Sequence, residues 1–422
     1  MEKNISLSAP LKRITVLDAL RGFALFGVII MHMLQHFGIR SGGPQQEVLQ
    51  FPVLDEAVQW IGNNIIMGRF INIFAFLFGL SFFIQMDRAA RKGIDFRGRF
   101  VWRMIILLTM GLLCHSFYNL EIISIYGFFG LLLIPLYKVK NWVLAVIFIF
   151  FLIGGPRIVK VVDHNYKTAI ELAKNEGQAN TEEARLDFSR SREIPEHIKN
   201  PSFLNSAKYN YKERLIGKLN YQFGMVGRGF ITYALFVAGF LIGRIRFFEK
   251  ITEERSRNVK LFFTLVIATA TLILIKNTLP PVDFRMLFRS DGLMIPSSLL
   301  AVLAMEDISM VLSSAALTIG FILVYQTEKF GKYLEVLSPY GRTGLTNYIM
   351  QGVIGCLIFS LWAFGPIFGG WGTTALFLFG IVIYIIQGII SKYWLKNYLY
   401  GPLEWLWRSL TYLKFQPYKK KN

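Results

Sequence analysis

Polar side chains inside long apolar stretches call for a chemical reason, because each is costly in hydrocarbon and defaults to a functional assignment. The first such stretch, residues 16–38, carries Asp18, Arg21, His32 and His36. At ~100° per residue these four share a stripe about 100° wide with Gly22, Leu25 and Ile29. Asp18 and Arg21, three apart, are spaced for an ion pair. His32 stands about 21 Å beyond Asp18 at ~1.5 Å of rise per residue. The same residues also read as a helix-anchoring salt bridge and a hydrogen-bonded core histidine. His32 and His36, four apart, resemble half of a metal site, but no glutamate between them completes a zinc-protease pattern, and no metal is assigned.

Other groups belong at the level of His32. Arg69 and Asn72 open the second apolar stretch, and His115 and Glu121 flank the turn CHSFYNLEI between the third and fourth. Six groups that can donate, accept or shift protons are therefore expected to converge from four helices. An imidazole beside a carboxylate is a general base whose pKa lies near operating pH; a water-filled vestibule is the plainer alternative. At the Arg21 end lie the arginine-rich segment DRAARKGIDFRGRFVWR (87–103) and the cluster Gly341, Arg342, Thr346, Asn347 and Gln351. Guanidinium forks suit phosphates, and anionic lipid head groups equally. The tail GPLEWLWRSLTY, with Glu404 and Arg408 four apart and two tryptophans, reads as an interfacial structural helix.

The elements that must position these groups follow from composition. Of 422 residues, 54% are hydrophobic and only 17% charged, and apolar runs of about twenty residues recur. The expected fold is all-α: a polytopic integral membrane bundle of about ten transmembrane helices with both termini cytoplasmic. The spans are 16–38, 65–86, 101–118, 121–137, 141–156, 226–247, 259–278, 308–326, 344–365 and 373–392. A shorter apolar piece, 293–304, contains Pro296 and suits a half-helix or re-entrant segment. Residues 157–222 read as a solvated, partly helical or flexible, extracytoplasmic polar loop holding His164 and His197, so the chain divides into a five-helix half (1–156), this loop, and a second five-helix half (223–422).

The formal charge of +19 does not point to nucleic acid, because the basic residues sit in short segments between apolar runs and no binding module is present. Placing the arginine-rich segments 87–103 and 244–260 in the cytoplasm puts Lys3, Lys12, Arg13, Lys138, Lys140, Lys329, Lys332, Arg342 and the tail YKKKN on the same side. The two cysteines, Cys114 and Cys356, lie in apolar runs and read as packing residues, and the first helix is expected to be retained rather than cleaved.

The segments ITVLDALRGFALFGVIIMH, NIFAFLFGLSF, MGLLCHSFYNLEIISIYG, SPYGRTGLTNYIMQ and YGPLEWLWRSLTY resemble the YeiB-like family, a domain of unknown function (number 418). The N-terminal pattern of Asp, Arg-Gly and a polar residue eleven after the Arg also resembles the membrane acyltransferase clan, which includes acyltransferase family three and the heparan glucosaminide N-acetyltransferases. In family three the matching histidine is linked to catalysis, and it falls on His32; YeiB-like proteins often have asparagine there. Glu121 stands where an aspartate is usual. The resemblance implies an acyltransferase of the cytoplasmic (inner) membrane, moving an acyl group from a donor such as acetyl-CoA to a sugar or other small polar acceptor. In it His32, Glu121 and His115 would be catalytic, Arg69 would stabilise negative charge, and Asp18, Arg21, His36, Asn72, Arg342 and Asn347 would bind donor or substrate. A transporter of a small polar metabolite, or a structural partner of envelope machinery, remains an alternative; membrane lipids are expected partners and a homo-oligomer is left open.

Overall fold

The computed structural model describes residues 15–39, 51–174, 194–249, 251, 254–279, 281–283, 286–287 and 294–420. Lys3, Lys12, Arg13, the loop interior 175–193 and the last two residues of the tail lie outside the described residues. Every regular element among the described residues is helical, apart from one antiparallel bridge between Tyr398 and Lys419.

The N-terminal helices are α1 (Thr15–Leu34), α2 (Pro52–Ile61), α3 (Arg69–Ala90), α4 (Arg97–His115), α5 (Ile123–Leu133), α6 (Asn141–Leu152) and α7 (Gly155–Lys174). Short α8 (Glu196–Lys199), α9 (Phe203–Tyr209) and α10 (Leu215–Phe223) lead to α11 (Arg228–Arg244), α12 (Arg255–Thr278) and α13 (Ser297–Tyr325). Next come α14 (Glu328–Leu334), α15 (Ser338–Arg342), α16 (Gly344–Phe359), α17 (Gly365–Phe368), α18 (Thr373–Asn397) and α19 (Pro402–Tyr412).

Six helical stretches are long and apolar enough to cross a membrane, or eight if each of two bent pairs is one span. The six are α1, Pro52–Ala90, α4, α12, α13 and α18. The bent pairs are α6 with α7, at 51°, and Phe203–Phe223 with α11, at 57°. Two further apolar helices, Ile123–Lys138 and Gly344–Phe359, are shorter. The chain is thus a multi-pass helical membrane protein, in which each helix satisfies its own backbone where water is absent.

Burial sorts the helices. α1 has 78% of its apolar stretch inside the protein and forms the hub, packed by α3, α15, α16 and α18; α12 has 6% inside and rides on the outside against α13. Close crossings depend on glycine. A methyl group at Gly79 of α3 would meet the Phe236 carbonyl at 2.0 Å, and one at Gly239 of α11 would meet the Phe76 carbonyl at 2.0 Å. Small residues let these two backbones touch, the usual source of helix cohesion where lipid removes the hydrophobic drive. Gly341 likewise admits the Asp18 carbonyl, which a Cβ would meet at 1.9 Å.

Two expectations are corrected, and a third gains detail. The apolar piece 293–304 is no separate half-helix: Pro296 precedes the first turn of α13, where a missing N–H costs nothing, and the helix continues unbroken from Ser297 to Tyr325. Residues 157–222, expected as a solvated, partly helical or flexible loop, are helical over most of their described length. Arg157 of α7, 3% exposed, pairs with Asp307 at 2.8 Å, and Asn165 Nδ2 donates to the Ile295 carbonyl at 2.8 Å, so the start of the insertion is built into the bundle. His164 and His197 are half-buried, His197 stacking on Tyr209 at 4.0 Å. Finally, α1 ends at Leu34, so His36 lies beyond it, at φ +50° with its ring 5.1 Å from Phe359, and shares no helical face with His32.

Candidate functional site

Arg21 leaves α1 toward α3, donating to Asp18 Oδ1 at 2.9 Å and to Ser81 Oγ at 2.7 Å. The spacing that permits the ion pair therefore also aims the guanidinium across the bundle. It lines a partly open cavity of about 320 Å³ bordered by α1, α3, α4, α5, α15, α16 and α19. Arg103, Arg342, Gln85, Ser81 and Glu404 line the same void, and its other end is walled by Phe74, Ile122, Ile123, Tyr126 and Tyr348. The cavity is polar where α4 begins and α3 ends, and aromatic where α5 begins.

Two of these side chains are held from the C-terminal tail. The Arg103 guanidinium lies 3.7 Å from the centre of the Trp407 ring, whose Nε1 donates to the Arg103 carbonyl at 3.0 Å. Arg103 Nε is buried with no partner among the described residues. Glu404 Oε1 accepts from the backbone N–H groups of Leu345 (2.7 Å) and Thr346 (3.0 Å), and Oε2 accepts from Thr346 Oγ1 (2.6 Å). A carboxylate on these orphan donors caps α16 and complements its dipole. The tail thus forms a wall of the cavity, and Arg408 faces Tyr400 and Tyr412 instead of Glu404.

The aromatic end adjoins His32. Tyr348, the cavity wall, is hydrogen-bonded to Tyr118 and accepts from the Ile122 N–H at 3.1 Å. The Tyr118 hydroxyl lies 2.8 Å from His32 Nδ1 and 2.7 Å from Nε2, against the edge of the ring between the two nitrogens, so either tautomer can receive it. His32, Tyr118 and Tyr348 are 8%, 1% and 3% exposed. Phe37 closes the other side, its ring 5.3 Å from His32. A chain of hydroxyls therefore leads from the cavity wall to an imidazole that does not itself line the cavity.

The remaining expected groups are elsewhere. Glu121 is fully buried, but its partners are Lys218 of α10 and Ser124, whose N–H and Oγ donate to it at 2.9 and 2.5 Å. His115 is also fully buried and meets the insertion, its Nε2 donating to the Asn210 carbonyl at 3.1 Å. No imidazole–carboxylate pair forms between His32 or His115 and Glu121, because lysine from the insertion takes the carboxylate. Asn72 bonds Arg228 and Ser314, and Arg69 bonds the carbonyls of Asn63 and Met67; their partners lie on other helices than those of His32. The six expected groups thus divide into separate clusters. At the other end Arg342 joins Arg21 on the cavity, whereas Asn347 is spent inside the core on the Tyr340 carbonyl, Thr343 and Ser391. Among the described residues no three His, Cys, Asp or Glu side chains come together as a metal-ligand set.

The sequence reading missed Tyr118, Tyr348, Lys218 and Arg103. Tyr348 lies inside the motif GRTGLTNYIMQ and Arg103 inside the arginine-rich segment, so position alone marked them; Lys218 had no signal, since nothing in the insertion indicates which side chain turns inward.

Residues 242–414 match the family model described as "Protein of unknown function (DUF418)". The chain is 26% identical to "Uncharacterized protein YxaH" of Bacillus subtilis (strain 168), with 97% of each chain covered. It is 25% identical to "Uncharacterized 39.9 kDa protein in amylase 3'region" of Bacillus acidopullulyticus, over 95% of this chain and 94% of the other. Over 20% of its length it is 34% identical to "Uncharacterized protein YeiB" of Escherichia coli (strain K12), covering 21% of that protein.

Proposed function

On the premise that the chain belongs to the DUF418 family through residues 242–414, we propose that it is a membrane acyltransferase, taking an acyl group from an acyl-CoA donor to a sugar or other polar acceptor. The observation that carries this reading is the cavity: guanidiniums of Arg21, Arg103 and Arg342 at one end, an aromatic floor at the other, and Tyr348 joining that floor through Tyr118 to His32. Such a void suits a donor with anionic phosphates and an apolar acyl end. The arginines hold the phosphates, and the thioester lies toward Tyr348.

In the transfer, the acceptor oxygen forms a bond to the acyl carbon and the carbon–sulfur bond breaks. The acceptor's proton passes along Tyr348 and Tyr118 to His32 and returns to the departing thiolate, so the imidazole ends neutral. Glu121 and His115 position the turn that carries Tyr118; Arg69, Asn72, His36 and Asn347 have no part. The topology that fits is ten spans in the cytoplasmic membrane, the arginine end and both termini facing the cytoplasm, in keeping with Arg88, Arg91, Arg97 and Arg99 near the cavity's polar end.

A carrier for a small polar metabolite is the second reading, favoured by a cavity that is polar at one end and stopped by packed aromatic rings at the other. Binding of acetyl-CoA to the purified chain, followed by acyl transfer to a panel of sugars, separates the two. Saturable binding that weakens in Arg103→Ala supports the transferase; no binding at millimolar donor, with uptake of a metabolite into proteoliposomes, replaces it with the carrier.

A further inference from the structure

A second, larger void lies on the opposite flank of α1. It is an open groove of about 650 Å³ lined by Phe23, by α12 from Phe262 to Ile273, by α13 from Ser313 to Val324, and by Arg69. Apart from Arg69 and Asn64 its walls are apolar side chains and small hydroxyls. Along α13 it runs about 16 Å at ~1.5 Å per residue, roughly half of a ~30 Å hydrocarbon core, which is the reach of an acyl chain from one leaflet.

The arginine at this groove has spare capacity. Arg69 Nη1 donates to the Asn63 and Met67 carbonyls at 3.1 and 3.0 Å, while Nε and Nη2 have no partner among the described residues. Arg228 is its neighbour: Nη2 donates to the Gly68 carbonyl at 3.2 Å and to Asn72 Oδ1, and Nη1 is buried without a partner. The nearby carboxylate, Asp307, is hydrogen-bonded to Arg157 and acts on Arg228 only through space. Arg69 and Arg228 are close enough to repel each other, and among the described residues no acid is hydrogen-bonded to either. A pair of guanidiniums with no carboxylate of its own in hydrogen-bond contact favours the arrival of an anion.

We infer that this groove binds an anionic phospholipid of the surrounding bilayer, its acyl chain along α12 and α13 and its phosphodiester on Arg69 with Arg228 behind. The site is separate from the cavity between α3, α4 and α16, and it stands whether or not that cavity performs acyl transfer.

The test uses the full chain purified in mild detergent, with phosphatidylglycerol and phosphatidylcholine of identical chains titrated in and retained lipid read by native mass spectrometry. Wild type is expected to retain the anionic lipid at least about tenfold over the zwitterionic one, because both carry the phosphodiester but only phosphatidylcholine brings a cation toward the two guanidiniums. Arg69→Gln should bring the two lipids level and Arg69→Lys should keep the preference. Ala270→Trp, on the α12 wall of the groove, should lower retention of both, and unchanged retention in it would overturn the assignment. Equal retention by wild type, an unchanged preference in Arg69→Gln, or loss of the preference to millimolar inorganic phosphate would overturn the assignment, the last because the arginines would then hold the free anion. Ala270→Trp keeps the test decisive if Arg69→Gln, which also loses two carbonyl contacts, does not fold.

Discussion

At one end of the bundle, Arg21, Arg103 and Arg342 border a void of about 320 Å³, and Arg103 keeps a nitrogen without a partner among the described residues. At the other end, His32, Tyr118, Tyr348 and Glu121 are each under 9% exposed and each bonded to another side chain. The same helices, α1 and α16, contribute to both. What differs is the filling between them: near His32 the rings of Phe37 and Phe359 and the inserted helix α10 occupy the space, whereas near the arginines the tail and α4 stand apart around the cavity. Vacant volume beside guanidiniums suits exchange of a ligand with solvent. A closed chain of hydroxyls suits holding a proton away from water, where each hydrogen bond is stronger and each loss more costly.

Breaking the closed end should have the largest effect. His32→Ala is expected to lower acyl transfer by about 10²–10⁴-fold, the usual worth of a positioned base, while acetyl-CoA affinity, by calorimetry, stays within about twofold. A fall in affinity matching the fall in rate would erase the division between the two ends. Next comes the clasp on that end. Lys218→Met leaves the fully buried Glu121 carboxylate unmatched and should cost about 3–5 kcal/mol of stability, read as unfolding in detergent. Adding Glu121→Gln to Lys218→Met should restore most of it, and a double variant no better than the single one would show that the pair is not the clasp.

The open end is expected to answer in affinity. Arg103→Ala should weaken acetyl-CoA binding by about 10–100-fold, the scale of a charged hydrogen bond to phosphate, with transfer retained at saturating donor. A loss of kcat with unchanged affinity would place Arg103 with the chemistry instead. The smallest effect belongs to the tail: Glu404→Gln keeps the shape of the cap on α16 but removes its charge, and should cost about 0.5–2 kcal/mol. Thermal unfolding reads this directly, and no change would make the tail a mere cover.

The Asp18–Arg21 pair was legible from spacing, since an i, i+3 relation on one helix needs no other element to form. The fate of Arg69 and Asn72 was not. Level along the membrane is set by helix length, but azimuth is set by neighbours, and α3 turns Asn72 toward α11 and α13 and leaves Arg69 on the Asn63 and Met67 carbonyls, while α1 turns His32 toward Tyr118. The partners of Asn347 were hidden for the same reason: a polar residue opening an apolar helix resembles a ligand-binding group until Thr343 and Ser391 are seen beside it.

From residue types alone came the helical class, the membrane setting, the arginine-rich end and the singular position of His32, because apolar run length and the cost of polar groups in hydrocarbon are local properties. Only the tertiary structure decided that residues 157–174 and 194–222 join the bundle, that α13 is one helix, that Lys218 rather than a histidine meets Glu121, and that Tyr348 connects the cavity to His32. Those outcomes depend on which helix faces which and at what distance, and in a membrane that is settled by the close fit of small and large side chains rather than by hydropathy, which is nearly uniform along every span.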